Sequence, residues 1–137
     1  MTHPLEAEAL TVARSARERA YAPYSKFKVG AALILKSGRI VAGCNVENAS
    51  FGGTVCAERT AILTAIGTHG ERDIAEVVVV AEGDGPVVPC ALCLQVMAEF
   101  CNLATPVILA DMKTVLERTT FGALLPRPFG PGSFTPP

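Results

Sequence analysis

The chain is 137 residues long, half of them hydrophobic, with 12 Lys and Arg set against 13 Asp and Glu. That length buries one sizeable core and leaves little for a second, so a single domain over residues 1–137 is expected. A balanced charge offers no electrostatic footprint for a nucleic-acid backbone. The longest apolar run, VGAALIL at 29–35, is far short of the ~18 residues of a membrane span, so neither nucleic acid nor membrane is expected as a partner. The N-terminal MTHPLEAEAL has no basic segment and no apolar stretch of the secretory kind, which points to a soluble, cytoplasmic protein acting on small molecules. Five cysteines in that reducing setting read as free thiols or metal ligands, and their odd number agrees.

In LEAEALTVARSARER, residues 5–19, Leu5, Ala9, Val12, Ala13 and Ala16 recur at helical spacing with most charges opposite, an amphipathic opening helix. Pro23 breaks it. KVGAALILKSGRIVAGCNV then carries two apolar runs around Ser37 and Gly38, the composition of a β-hairpin. The loop NASFGGT leads into a helix starting near Val55, with Thr54 as its expected N-cap and its end near Gly67 or Gly70. IAEVVVVAE, residues 74–82, is rich in β-branched residues and reads as a buried central strand. Pro89 is expected to open a helix reaching about Cys101, followed by the strand PVILA.

Only DMK separates PVILA from TVLERT, too short for anything but an antiparallel pair, whereas Ile74 to Ala110 has the length of a right-handed parallel crossover. The expected fold class is therefore α/β, three layers, with a mixed sheet of about five strands and helices on its faces. The tail PRPFGPGSFTPP, residues 126–137, holds half of the ten prolines and cannot be regular throughout.

The chemistry concentrates in TVCAERT and VPCALC. Cys90 and Cys93 lie three apart at a helix start, on one face, where two thiols can share a metal ion. Cys56 and Glu58 sit in another first turn, where side chains tilt toward the N-terminus and can converge beyond it. Two positive helix ends facing one metal favour the deprotonated thiolates. Three thiols without an obvious fourth partner suit a catalytic zinc, which keeps a position for water and lowers the pKa of that water toward ~7. Glu58 then reads as a proton shuttle, and Arg59, three residues after Cys56, as a cation offsetting the charge of three thiolates.

The plainer reading is a structural zinc site closed by a fourth ligand. Cys101 lies ~16 Å farther along the helix axis from Cys90, out of reach of the same ion, and is expected in the core. Cys44 is expected to pack in a strand, while His69 and His3 are expected to meet solvent. A structural site also leaves Glu58 without a purpose beside the metal.

CAERTAI at 56–62 with PCALCLQV at 89–96 resembles the zinc-dependent nucleoside deaminases, whose signature is His or Cys, any residue, Glu, then Pro-Cys-x-x-Cys. Cysteine at position 56 narrows the likeness to the short cytidine deaminases, usually homotetramers, and AYAPYSKFKVGAAL, GCNVENASFG and LLPRPF extend it over nearly the whole chain. The resemblance implies one zinc per chain on Cys56, Cys90 and Cys93, with a zinc-bound hydroxide as nucleophile and Glu58 as shuttle. The implied reaction is hydrolytic deamination of cytidine and 2′-deoxycytidine, with release of ammonia, in pyrimidine salvage.

It further implies ribose contacts from Asn45 and Glu47, a base pocket lined by Phe27, and a substrate contact from Ala49. Phe51 and Phe129 are implied to reach a neighbouring subunit's site. Three positions depart from the usual pattern: Phe51 for tyrosine, Ala91 for glycine, and Leu94 for arginine. The alternatives are a deaminase of a cytosine-bearing antibiotic such as blasticidin S, and a non-catalytic zinc-stabilised domain.

Overall fold

The computed structural model describes residues 2–134. Along the chain run helix α1 (Glu6–Glu18), strands β1 (Val29–Leu35) and β2 (Ile40–Cys44), helix α2 (Ala57–His69), strand β3 (Ile74–Ala81) and helix α3 (Ala91–Phe100). Strands β4 (Pro106–Ala110) and β5 (Val115–Thr120) and the short helix α4 (Phe121–Leu124) follow. The strands form one sheet in the order β2-β1-β3-β4-β5. β3 and β4 are parallel and every other pair is antiparallel. This is the expected mixed α/β architecture, with the crossover through α3 supplying the parallel pair.

The central strands lack hydrophobic alternation because both of their faces are covered. Ala32 and Ile34 of β1 and Val78 and Val80 of β3 pack under Ala9, Leu10 and Ala13 of α1. Ala31, Leu33, Val77 and Val79 point the other way, against Ala57, Ala61, Ile62 and Ala65 of α2 and Leu94 and Met97 of α3. Small residues let the layers close. A Cβ on Gly30 would stand 2.0 Å from the Ala13 carbonyl oxygen, and one on Gly43 would stand 2.3 Å from that of Ala57. Gly43 thus sets how closely the first turn of α2 lies on β2, and Thr60 fixes it there by donating to the Cys44 carbonyl at 2.7 Å.

Both helices near the cysteines start two residues later than their sequence suggests. Cys56, not Thr54, occupies the N-cap of α2, with extended backbone at φ −72° and ψ 160°. Thr54 is used elsewhere: its hydroxyl accepts from Asn48 N and its carbonyl from Arg59. α3 opens at Ala91 rather than at Pro89, and Cys90 caps it, its sulfur accepting from Cys93 N at 3.5 Å. A cysteine sulfur serves there as a Ser or Asp oxygen serves in common caps, a substitution that propensity does not register. α2 ends at Gly70, whose φ of 66° terminates the helix while Glu71 N donates back to Ala65 O.

His3 is only partly exposed, and its Nδ1 accepts from Leu5 N at the start of α1, so it supports that helix rather than simply meeting solvent. α4 has no counterpart in the sequence reading, since four residues carry no periodicity, but Thr120 caps it by accepting from Ala123 N. In the tail, Pro131–Phe134 form a single 3-10 turn, and residues 135–137 lie outside the described residues. No helix is long and apolar enough to cross a membrane among the described residues.

One buried charge cluster ties α1 to the far strand. Glu6 and Glu76 are both nearly inaccessible, and Arg118 of β5 bonds Glu6 at 2.6 Å. Glu76 Oε2 has no hydrogen-bond partner among the described residues. Burial first, and then the neighbouring Glu6 charge, push the Glu76 carboxyl up to about 7. A carboxyl raised in the folded state stabilises fully below its unfolded value, near 4.5, and that contribution is lost as pH rises through 7. Glu76→Gln is therefore expected to gain on the parent by on the order of 2 kcal/mol more at pH 8 than at pH 5 in chemical unfolding. Identical pH profiles for the two proteins would contradict this.

Candidate active site

The sulfurs of Cys56, Cys90 and Cys93 lie within 4.8 Å of one another, and those of Cys56 and Cys90 are 3.8 Å apart. Zinc–sulfur bonds of ~2.3 Å at tetrahedral angles require sulfurs about 3.8 Å apart, so the donor set fits one zinc per chain. Among the described residues the group recruits no fourth Cys, His, Asp or Glu. The two N-caps explain the convergence. Cys56 makes no capping hydrogen bond, so its sulfur is free to face Cys90 across the paired starts of α2 and α3. Cys93, one turn into α3, is fully buried beneath them.

Arg59 runs back along the first turn of α2 as expected. Its Nε donates to Cys93 Sγ and its terminal nitrogen to Cys56 Sγ, both at 3.4 Å. Burial works against the guanidinium charge, but the sulfur hydrogen bonds outweigh it and hold its pKa above the ordinary value. The hydrogen bond shared with Cys93, reinforced by Arg59, lowers the Cys56 thiol to about 5. The same shared bond, with burial, pushes Cys93 up. Glu58, the second residue of α2, is 4% exposed. Desolvation, helped by the Cys56 charge, raises its carboxyl to about 7, the range in which a group both accepts and donates protons at neutral pH.

A second set of residues gathers beside this cluster. The segment Asn45–Glu47 is stitched to Tyr21 on one side and to Val55 on the other, Val46 and Val55 exchanging backbone hydrogen bonds of 2.9 and 3.0 Å. Val55 immediately precedes Cys56, so the segment is tied to the metal ligands by main chain alone. A cavity of about 440 Å³ opens here, lined by Tyr24, Ser25, Glu47, Phe51 and Thr54.

Glu47 accepts from Tyr24 N at 2.9 Å, from Ser25 N at 3.1 Å and from the Ser25 hydroxyl. These bonds, the Ser25 hydroxyl foremost, lower its pKa and keep it ionised. Asn45 is buried and clamps the same loop, donating to Phe27 O at 2.7 Å and accepting from Val29 N at 2.8 Å. That clamp uses two of the four hydrogen bonds its amide can form.

The remaining expected residues are spread more widely. The Phe27 ring is exposed and does not line the cavity, although its backbone is held by Asn45. Ala49 sits in an exposed bend. Phe51 is 75% exposed and meets Tyr24 edge-on, ring centres 5.9 Å apart. Phe129 lies apart from the cavity, its ring against Phe134 and its carbonyl accepting from Gln95. Cys44 and Cys101 are half-buried, outside the cluster, and His69 is exposed. Ala91 is exposed and Leu94 packs into the core, so an apolar residue at 94 is accommodated by burial. Tyr24 and Ser25 were not anticipated, because nothing local in the sequence marks them as partners of Glu47, and Thr54, expected only as a helix cap, lines the cavity instead.

Arg59 is the neighbour that supports two of the three sulfurs. Arg59→Gln is expected to weaken zinc about 10- to 100-fold in competition with a chelator while the fold persists. Unchanged affinity would show that the guanidinium contacts are incidental.

Comparison with known proteins gives a consistent picture. Residues 5–109 match the family described as the cytidine and deoxycytidylate deaminase zinc-binding region. The chain is 51% identical over 116 residues to the cytidine deaminase of Sporosarcina psychrophila, covering 85% of each chain. It is 49% identical over 114 residues to that of Halalkalibacterium halodurans, covering 83% of this chain and 86% of that one. The fold superimposes on a crystal structure of cytidine deaminase from Burkholderia pseudomallei with a TM-score of 0.85 and 46% identity, over 94% of this chain and all of the other. With three thiols placed for zinc, a buried glutamate beside them and this breadth of likeness, the chain belongs to the cytidine and deoxycytidylate deaminase family.

Proposed function

We propose that this protein is a cytidine deaminase, a hydrolase acting on cyclic amidines that converts cytidine and 2′-deoxycytidine to uridine and 2′-deoxyuridine with release of ammonia. The observation that carries the reading is the buried Glu58 in the first turn of α2, next to a three-thiol zinc set that includes the N-cap of the same helix. Zinc held by Cys56, Cys90 and Cys93 supplies Lewis acidity that makes water a nucleophile near neutral pH.

The rest of the work falls to side chains of this chain. Glu58 accepts a proton from the attacking water and passes protons to the cytosine ring and to the departing amine. Its carboxyl near 7 suits it to both directions of transfer. Arg59, bonded to two sulfurs, offsets the negative charge of the thiolates and so preserves that acidity. Asn45 and Glu47 retain open hydrogen-bonding positions for the sugar hydroxyls, beside the cavity that Phe51 and Tyr24 wall. Phe27 lies on the loop that Asn45 clamps and Ala49 follows Glu47 two residues on; the reading assigns Phe27 to the base pocket and Ala49 to a substrate contact.

The protein is read as one catalytic domain with a proline-rich tail, acting in the cytoplasm in pyrimidine salvage. Phe51, Phe129, Phe134, Leu63 and Leu92 are all more than half exposed, more apolar side chain than isolated surface residues require. A homotetramer with sites shared between subunits accounts for them, Phe51 and Phe129 completing a neighbour's pocket.

The direct test is ammonia release from cytidine by protein of known zinc content, with Glu58→Gln alongside. The parent is expected to turn over, and the variant to keep zinc while losing about 10²- to 10⁴-fold in kcat. A zinc-loaded parent that releases no ammonia would move the weight to an antibiotic substrate or a non-catalytic domain. Zinc loss in Glu58→Gln would remove the shuttle role.

A further inference from the structure

Among the described residues, Lys26 is the one non-glycine with a positive φ, at 62°. A lysine rests in that region only where its surroundings hold it. On its N-terminal side stands Ser25, whose hydroxyl donates to Glu47 Oε2 and accepts from Phe27 N at 3.0 Å. Lys26 N itself donates to Ala22 O at 3.0 Å. Phe27 O and Val29 N are then taken by Asn45. The strained turn is thus fastened on both sides, and the Ser25 hydroxyl is the one group that touches both the Glu47 carboxylate and the backbone of Phe27.

An ionised carboxylate has about four acceptor positions. Tyr24 N and Ser25 N take both on Oε1, and the Ser25 hydroxyl takes one on Oε2. One position is left, on an oxygen whose orientation Ser25 sets, in a residue that lines the 440 Å³ cavity. We propose that Ser25 is a positioning residue for sugar recognition: its hydroxyl orients Glu47 so that this last acceptor position meets a hydroxyl of the nucleoside. The inference rests on the deaminase reading above, which it deepens by naming what fixes the sugar contact. Without Ser25 the carboxylate keeps its charge and its two backbone bonds but is free to turn Oε2 away.

The test compares cytidine with 2′,3′-dideoxycytidine, which has the same base and no hydroxyl on the lower edge of the sugar. Ser25→Ala is expected to raise KM for cytidine about 10- to 100-fold, with kcat within about threefold and KM for the dideoxynucleoside within about threefold. Ser25→Thr keeps the hydroxyl at an exposed position and is expected to retain the parent's KM for cytidine. Combined with Glu47→Gln, Ser25→Ala is expected to add less than about threefold, since both changes remove the same contact. Equal losses on both substrates, or full additivity with Glu47→Gln, would overturn the assignment and leave Ser25 a general support of the loop. Failure of the unaltered zinc enzyme to act on either nucleoside would instead remove the deaminase reading and the Ser25 role with it. Thermal melting and zinc content, expected unchanged in Ser25→Ala, separate these outcomes from misfolding.

Discussion

Cys56 and Cys90 are 34 residues apart in the chain, yet their sulfurs stand 3.8 Å apart. The site depends on that approach, and the approach depends on where two helices begin. Each cysteine occupies an N-cap, a position with extended backbone whose side chain points back past the helix end. α2 is pressed onto β2 through Gly43 and pinned by Thr60, while α3 is the crossover between parallel strands β3 and β4. With both helices packed on one face of the sheet, their positive ends meet over the same point, and at Cys56 the thiolate is favoured by the hydrogen bond from Arg59 as well.

The same geometry decides the chemistry of Glu58. Two positions beyond an N-cap, its carboxylate is carried into the shelter formed by α2, α3 and the sheet rather than out to solvent. Burial of an unpaired carboxyl is ordinarily unfavourable. Here it raises the group to about 7, the range that the proposed shuttle role calls for. Glu47 shows the opposite treatment a short distance along the chain. Three donors keep it ionised, suited to accepting a hydrogen bond and unsuited to carrying a proton. Two glutamates eleven positions apart are thereby set to different tasks by their surroundings alone.

Much of this was legible in the sequence, because the informative spacings are short. Cys-x-Glu and Pro-Cys-x-x-Cys fix the identity of the donors, and a DMK connection forces β4 and β5 antiparallel whatever else the chain does. Legibility fails where partners are distant. Ser25 is 22 residues from Glu47, and Glu6 is 112 from Arg118, and no local pattern announces either pair. Helix starts shift by two residues because a cysteine can cap as well as coordinate, and α4 is too short to show a period. Asn45 was expected at the sugar. The structure adds that its amide spends half of its capacity on the loop that carries Phe27, a partner too distant in the chain for the sequence to show.

The central claim is that three thiols, and no fourth protein ligand, hold a zinc ion at the paired starts of α2 and α3. X-ray absorption at the zinc edge of the purified protein tests it most directly. The account predicts three sulfur scatterers at ~2.3 Å and one lighter atom near 2.0 Å, the signature of an open, water-accessible site. Four sulfurs would mean that Cys44 or Cys101 closes the site, and fewer than three would mean that the cluster is not the metal centre.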